Sequence, residues 1–362
     1  MEMNTFGHSF RLAVFGESHG RAVGVIVDGI PAGLPLEEAD FLSDLKKRAP
    51  GKKGTTHRRE SDRPQIQSGL FQGRTTGSPL IISFLNRDVR SRDYSMLRFL
   101  PRPGHADLAA SYRFGGYNDW RGGGHFSGRV TVALVAAGVV AKKIISPTEI
   151  EAWLEEAGGS EEIEEAVTAA AQERDSVGGI IGCRAQPLPV GLGEPFFDSV
   201  ESLISHLIFS IPGIKAIEFG AGFSLSRKRG SEVNDLIIDR KGRTLTNNSG
   251  GVSGGLTNGN ELFLRVAVKP TSSIGRPQLT VDLRTGEKKS LVISGRHDVC
   301  FALRLPVVVE AAVAIVLADL FLRSQNEPLV WKGQKWKSGI AGEEQIKSRR
   351  KKEEGEVWEK KK

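Results

Sequence analysis

The side chains best able to do chemistry gather in a few short segments. GESHG at 16–20 presents Glu17, Ser18 and His19 in a tight loop, and RPGHAD at 102–107 carries Arg102 and His105. DWRGGGHFSGR at 119–129 carries Arg121, His125, Phe126, Ser127 and Arg129. KPTSS holds Lys269, Pro270, Thr271, Ser272 and Ser273, and GRHD supplies Arg296 and Asp298. Histidine titrates nearest neutrality, so His19 and His105, with Asp298, are candidates for proton transfer. The arginines offer forked donors to carboxylate or phosphate. Gly122, Gly123 and Gly124 let the backbone reach positive φ and approach a planar or phosphorylated ligand. A helix starting near Arg129 turns its unsatisfied N–H groups toward the same place. A glycine-rich turn feeding a core helix accounts for any one of these residues; the set together points to a site for a multiply anionic ligand.

Holding these segments together requires a framework, and its pieces are visible. FRLAVF, ending at Gly16, and GVIVDGIP read as strands, with Pro31 and Gly33 turning the chain. LPLEEADFLSDLKKR reads as a helix, acidic residues first and basic last, as the macrodipole prefers. SPLIISFLN reads as a further strand. The run from Val130 to Ala141 is apolar on nearly every face, which requires cover on all sides. Ile150 to Arg174 reads as helical, acidic and peripheral. From Val177 the pattern changes to short strands and glycine turns, VGGIIGCRAQ and GLGEPFFD, followed by a helix through SLISHLIFSIPG. IKAIEFGAGF, ELFLRVAVKPTSS and SLVISGRHD follow as strands and loops, and LPVVVEAAVAIVLADLFLR forms a second buried helix. The expected fold class is α+β, a helical layer sandwiched between antiparallel β-sheets. It forms one domain over 1–331, followed by a charged tail at 332–362 with little that could form a core.

Charge and cysteine usage exclude several function classes. The formal charge of +7 over 362 residues is concentrated in that tail, which carries net +5 and leaves only +2 for the rest. The loop from Lys46 to Arg63 holds eight Lys or Arg, the composition of a basic lid over an anion, but no Phe, Tyr or Trp. Nucleic-acid binding through stacking therefore has little to work with. Cys183 and Cys300 are the only cysteines and no spacing suits zinc, so they are expected as small buried hydrophobes with no metal. The first residues lack the apolar core of a signal peptide, and the apolar helices fall short of a comfortable membrane span. The expectation is a cytoplasmic protein that neither enters a membrane nor binds nucleic acid. Rossmann, P-loop, zincin and α/β-hydrolase motifs are missing.

GESHG, RRESD, RPGHAD, DWRGGG, AAGVVAKK, GLGEPFFD, GGVSGG, KPTSS and GRHDVC occur in an order that resembles the chorismate synthase family, over Asn4 to Arg323. The resemblance implies a carbon–oxygen lyase of the shikimate pathway, on the route to the aromatic amino acids. It converts 5-enolpyruvylshikimate 3-phosphate to chorismate by 1,4-anti elimination of phosphate, and it requires reduced FMN without net redox change. It also implies a homotetramer. By the same resemblance, Arg48, Arg102, Arg129 and Arg296 would clamp the anionic groups, with Lys53 standing in for a second basic-loop arginine. His19 would protonate the departing phosphate, and His105 would hold a proton on the reduced flavin. Asp298 would help remove the ring proton, and Ser18 and Ser127 would support the network. Pro212, Gly213, Gly254, Arg296 and the stretch Lys269 to Ser273 match flavin-contact positions. Many members read RGGGRSSAR where this chain has RGGGHFSGR, so His125 and Phe126 occupy flavin-contact positions with different side chains. Some members, mainly fungal, also reduce FMN with NADPH. No nucleotide fingerprint stands out here, and the expectation is flavin supplied already reduced.

Overall fold

The computed structural model describes residues 4–51, 53–56, 58, 60–293 and 297–326. The chain begins with β1 (Thr5–Phe6), β2 (Arg11–Gly16) and β3 (Ala22–Asp28), followed by α1 (Ala39–Arg48). Then come β4 (Gln65–Ser68), the small hairpin of β5 (Leu70–Phe71) and β6 (Arg74–Thr75), and β7 (Leu80–Leu85). The first sheet has the order β1-β2-β3-β7-β4, antiparallel throughout. In β3, Val23, Val25 and Val27 share one face and are buried, while Ile26 on the other is exposed, the period-2 pattern of a sheet with one covered face.

What covers that face is helical. After α2 (Asp107–Arg113) comes α3 (Thr131–Ile144), in which every residue from Thr131 to Ala141 is buried. It packs on β3, β7 and β2 and against α1. A Cβ on Gly138 would collide with Ala311, so α3 also lies almost in backbone contact with the last helix of the fold.

The second sheet is built from β8 (Glu149–Ala157), β9 (Gly179–Gln186), β10 (Ile214–Phe219) and, later, β13 (Leu262–Val268), with α4 (Ile163–Gln172) and α5 (Val200–Ser210) between strands. Its order is β10-β13-β9-β8, again antiparallel. Leu262, Leu264, Val266 and Val268 of β13 alternate with more exposed neighbours. The short α6 (Gly230–Val233), the hairpin of β11 (Val252–Ser253) and β12 (Leu256–Thr257), and the pair β14 (Gln278–Val281) and β15 (Lys288–Leu291) decorate this frame. The chain then enters α7 (Pro306–Asn326), whose residues from Val307 to Leu320 are all buried. Helices between antiparallel sheets are the α+β architecture expected from the sequence.

Two local expectations are corrected. Ile150 to Arg174 is not one helix: β8 occupies its first part and only Ile163–Gln172 is helical. Glutamates give EIEAWLEEA high helix propensity, yet Ile150, Ala152 and Leu154 alternate with it and pack on the core. As an edge strand, β8 can turn its charged side chains to water. GLGEPFFD forms a 3₁₀ turn at Phe196–Asp198 rather than a strand, with Phe196 and Phe197 exposed.

The ends of the fold are tied together by one buried carboxylate. Asp319 Oδ1, on α7, accepts the backbone N–H groups of His8, Ser9 and Phe10 at 3.0, 2.6 and 2.7 Å. Both cysteines are free and buried, as expected.

Candidate functional site

Gly122, Gly123 and Gly124 have φ of 59°, 82° and 55°, a run that side chains with a Cβ rarely adopt. The structure shows what fills the space a Cβ would need. At Gly122 it would meet His19 Cδ2 at 2.5 Å and Ser18 Oγ at 2.9 Å; at Gly123, His105 Nε2 at 3.4 Å; at Gly124, the Asp119 carbonyl. The glycines are therefore needed first by the protein itself: they let the GESHG and RPGHAD loops close on one point, with Ser18 N–H donating to Gly124 O at 3.0 Å. His19 is buried, its Nδ1 lies 3.0 Å from Ser91 Oγ, and its ring stands edge-on to Tyr94. Arg58 donates to Ser18 Oγ at 3.0 Å and to Ser18 O at 3.1 Å.

Behind this point lies a buried charge cluster. Arg48 is 2% exposed; it donates to Asp62 Oδ2 at 3.0 Å, Thr131 Oγ1 at 3.1 Å, and the carbonyls of Gly128 and Arg129 at 3.2 and 3.3 Å. Burial, reinforced by the charge of Arg304, pushes its guanidinium down to about 9 in spite of Asp62, which still leaves it charged at neutral pH. With its donors taken up internally, Arg48 stiffens the wall more than it reaches into the cavity. Arg129 pairs with Asp62 Oδ1 and donates Nε–H to Asn86 Oδ1 at 2.9 Å. Its Nη2 is buried and has no hydrogen-bond partner among the described residues.

The opposite side is made by RPGHAD and KPTSS. Arg102 donates to both oxygens of Asp107, at 2.7 and 2.8 Å, and to Ser273 Oγ at 3.1 Å. His105 Nδ1 is 2.6 Å from Asp107 Oδ1. Burial alone would raise the Asp107 carboxyl, but Arg102 and His105 outweigh it and hold the group below the ordinary carboxylate range. Lys269 Nζ donates to Ser272 Oγ at 2.9 Å and to Gly104 O; burial, then repulsion from Lys215, lowers its pKa. Thr271 Oγ1 is buried without a hydrogen-bond partner among the described residues. Asp298 accepts Thr56 N–H at 2.8 Å and an Arg304 N–H at 3.2 Å, and burial lowers the pKa of the neighbouring His297.

These groups border one cavity of about 770 Å³. Ser18, His105, Ser127, Asp298, Arg48, Arg102 and Arg129 line it, as do Pro212, Gly213, His125, Phe126 and Lys269 to Ser273. His19 is not among the lining residues; its ring lies behind Gly122, which lines the cavity and whose Cβ, were there one, would meet His19 Cδ2 at 2.5 Å. His125 spends both ring nitrogens on the frame, Nδ1 at 2.8 Å from Gly16 O and Nε2 at 3.1 Å from Asn4 Oδ1, whereas Phe126 is 40% exposed.

Two further sequence expectations do not line this cavity. Gly254 lies in the β11–β12 turn, with open space around it, and Lys53 is exposed; neither lines the wall. A matching position in a motif carries no information about distance, which is why sequence placed both in the site. Arg296 and the tail at 332–362 lie outside the described residues. Sequence reading in turn overlooked Asp62, Arg58, Asp107, His297 and Arg304. The first two stand within RRESD, the third within RPGHAD and the fourth within GRHD, so the motifs held the signal; their burial did not show.

The cavity has chemistry suited to a planar, phosphorylated ligand beside a second anion. Val130, Leu134, Leu207, Ile211 and Phe301 supply an apolar side, and the arginines and Lys269 supply the polar one. No helix among the described residues is long and apolar enough to cross a membrane, and no cluster there could hold a metal ion.

Comparison with known proteins gives a consistent result. The family model described as chorismate synthase matches residues 10–322. A chorismate synthase of Chitinophaga pinensis is 56% identical over 331 residues, which cover 91% of this chain and all of that protein. Those of Dehalococcoides mccartyi and Saccharolobus solfataricus are each 44% identical, over 91% of this chain and 99% and 93% of theirs. A solved structure described as "Crystal Structure of Chorismate Synthase" superposes with a TM-score of 0.68 at 26% identity, covering 88% of this chain and 93% of the other.

Proposed function

Because this chain belongs to the chorismate synthase family, lyases that eliminate phosphate from 5-enolpyruvylshikimate 3-phosphate to give chorismate, we propose that its cavity holds reduced FMN and this substrate side by side. The observation that carries the reading is the single cavity of about 770 Å³ on which Arg102, Arg129 and Lys269 converge opposite the apolar side made by Leu134, Leu207 and Ile211.

Bound reduced flavin supplies electron density to the reacting ring and recovers it, without net redox change. The remaining work belongs to the side chains. Arg129 and Arg102 bind the anionic groups of substrate and cofactor, with Arg48 holding Arg129's backbone and its counter-ion in place. Pro212, Gly213, Phe126 and Lys269 to Ser273 would hold the cofactor, with His125 fixing the loop that carries Phe126. His19 donates a proton to the departing phosphate oxygen. His105 would present Nε2 to the reduced flavin as the atom that takes up and returns a proton, and Asp298 would accept the proton lost from the ring. Ser18 and Ser127 orient their neighbours by hydrogen bonding. Arg296 completes the cofactor site by its place in GRHDVC. The catalytic unit is residues 1–331, acting in the cytoplasm as a homotetramer and receiving flavin already reduced rather than reducing it with NADPH.

The test is an anaerobic assay with 5-enolpyruvylshikimate 3-phosphate and chemically reduced FMN, following phosphate and chorismate. Stoichiometric release of both is expected; absence of turnover would refute the reading. NADPH-driven flavin reduction by the purified protein would refute the last clause alone.

A further inference from the structure

His105 and Asp107 sit two residues apart in RPGHAD, and the loop folds so that the carboxylate faces the ring edge rather than solvent. Asp107 Oδ1 lies 2.6 Å from His105 Nδ1, while the same oxygen accepts Arg102 Nη2–H at 2.8 Å. Oδ2 accepts Arg102 Nε–H at 2.7 Å and the Arg102 backbone N–H at 3.1 Å. Both partners are well shielded, the Asp107 side chain at 9% exposure.

Arg102 Nη2 also approaches His105 Nδ1 at 3.1 Å. Guanidinium has donors only, so a hydrogen bond between these two nitrogens would need Nδ1 bare. The shorter contact decides otherwise. Two donors converge on Oδ1, and their mutual approach follows from sharing that acceptor. An imidazole N–H on a carboxylate is charge-assisted and about twice as strong as a neutral bond. Nδ1 therefore carries the hydrogen in the neutral ring. Nε2 is left on the edge bordering Gly123, and no described residue hydrogen-bonds to it.

We infer that Asp107 is a positioning residue for the elimination: it fixes the Nδ1–H tautomer of His105 and aims Nε2 into the cavity. The inference rests on the proposed role of His105 toward the flavin and adds the group that makes that role possible. Arg102 in turn keeps Asp107 ionised and in place, and Ser273 Oγ holds Arg102 at 3.1 Å. Lys269 is the other cation nearby, its ammonium on Gly104 O beside the ring, and His297 faces Arg102 from the opposite loop. Neither supplies an acceptor to Nδ1, so the tautomer depends on Asp107.

The experiment is ¹⁵N NMR of the full-length protein labelled at the histidine rings, with His105 assigned by comparison with His105→Asn. The wild type at high pH is expected to show Nδ1 protonated and Nε2 bare. A neutral Nε2–H tautomer in the wild type overturns the inference without any variant. In Asp107→Asn the tautomer preference should be lost and kcat should fall by up to about 10⁴-fold, the loss found when a carboxylate that orients a catalytic histidine becomes an amide. Arg102→Lys should raise KM and leave the tautomer in place. If it shifts the tautomer as far as Asp107→Asn does, Arg102 is the controlling group and the inference fails. Full turnover by His105→Ala would instead refute the role of His105 itself, while leaving the tautomer measurement standing.

Discussion

Asp62 and Arg129 meet away from solvent, each side chain only 4% exposed, and the carboxylate that takes Arg129 on Oδ1 takes Arg48 on Oδ2. One buried anion thus holds two buried cations, so the cluster carries an excess positive charge beside the cavity. The left-handed backbone at Asp62, φ 42°, indicates that the chain accepts local strain to place it there. An excess positive charge facing a cavity is what anionic ligands require.

Replacing that shared partner should be severe. Asp62→Asn leaves two guanidinium groups buried without compensation, and breaking a buried pair in this way costs about 3–5 kcal/mol. Urea denaturation should show a loss in that range, partly restored by saturating inorganic phosphate if the cavity binds anions. A change below about 1 kcal/mol would mean that water already reaches the cluster.

Single alanine replacements of His19, His105 and Asp298 should each reduce turnover about 10²- to 10⁴-fold, the usual contribution of a positioned acid or base. Circular dichroism and thermal unfolding should remain close to wild type for His105, whose ring lies at the cavity edge. Wild-type rates in all three would remove the proton-transfer assignments.

Gly122→Ala combines two penalties. The left-handed backbone costs roughly 1–2 kcal/mol for any L residue, and the new methyl must displace the His19 ring, whose nearest atom lies 2.5 Å from its position. Stability should therefore fall modestly and turnover steeply, because the ring that moves is one of the proposed acids. Loss of stability with unchanged kcat would separate His19 from the chemistry.

Acid should expose the Asp107 cluster. Asp107 binds its proton less readily folded than unfolded, so its contribution to stability is complete above the unfolded carboxylate value, about 3.9. That contribution is lost as pH falls from there through the folded value, where the unfolded chain takes up more protons. Denaturation from neutrality down to about pH 3 should show wild type more stable than Asp107→Asn at the upper end, with the gap narrowing below about pH 4. A gap that is constant across this range would show that the carboxylate is not held ionised by its partners.

The two buried helices were legible because composition alone forbids an exposed face: nothing charged interrupts Val130 to Ala141, and α3 is buried all round. The strand β8 was obscured because glutamate is a good helix former and the edge of a sheet tolerates it. In the site, the glycines at 122–124 read as room for a ligand; in the structure His19 and Ser18 stand against Gly122 and His105 against Gly123. The basic loop misled in one respect. Eight cations have the composition of a basic lid over an anion, yet Arg48 is among the most deeply buried side chains and Arg58 clasps Ser18. Charge runs do not reveal which member turns inward; that depends on a distant acceptor, here Asp62, Thr131 and Gly128 O.

The clasp of Asp319 on His8, Ser9 and Phe10 spans 311 positions of sequence at its longest. Asn4, Thr5 and Phe6, just ahead of it, belong to the cavity wall. A ribosome making this chain therefore finishes the first residues of the pocket long before it makes the residue that secures them. Such long-range closure is intrinsically slow. The nascent amino-terminal strands must wait, and a chain truncated before α7 lacks more than a helix: the turn that carries the beginning of its own binding site into β2 loses the carboxylate that gathers its three N–H groups.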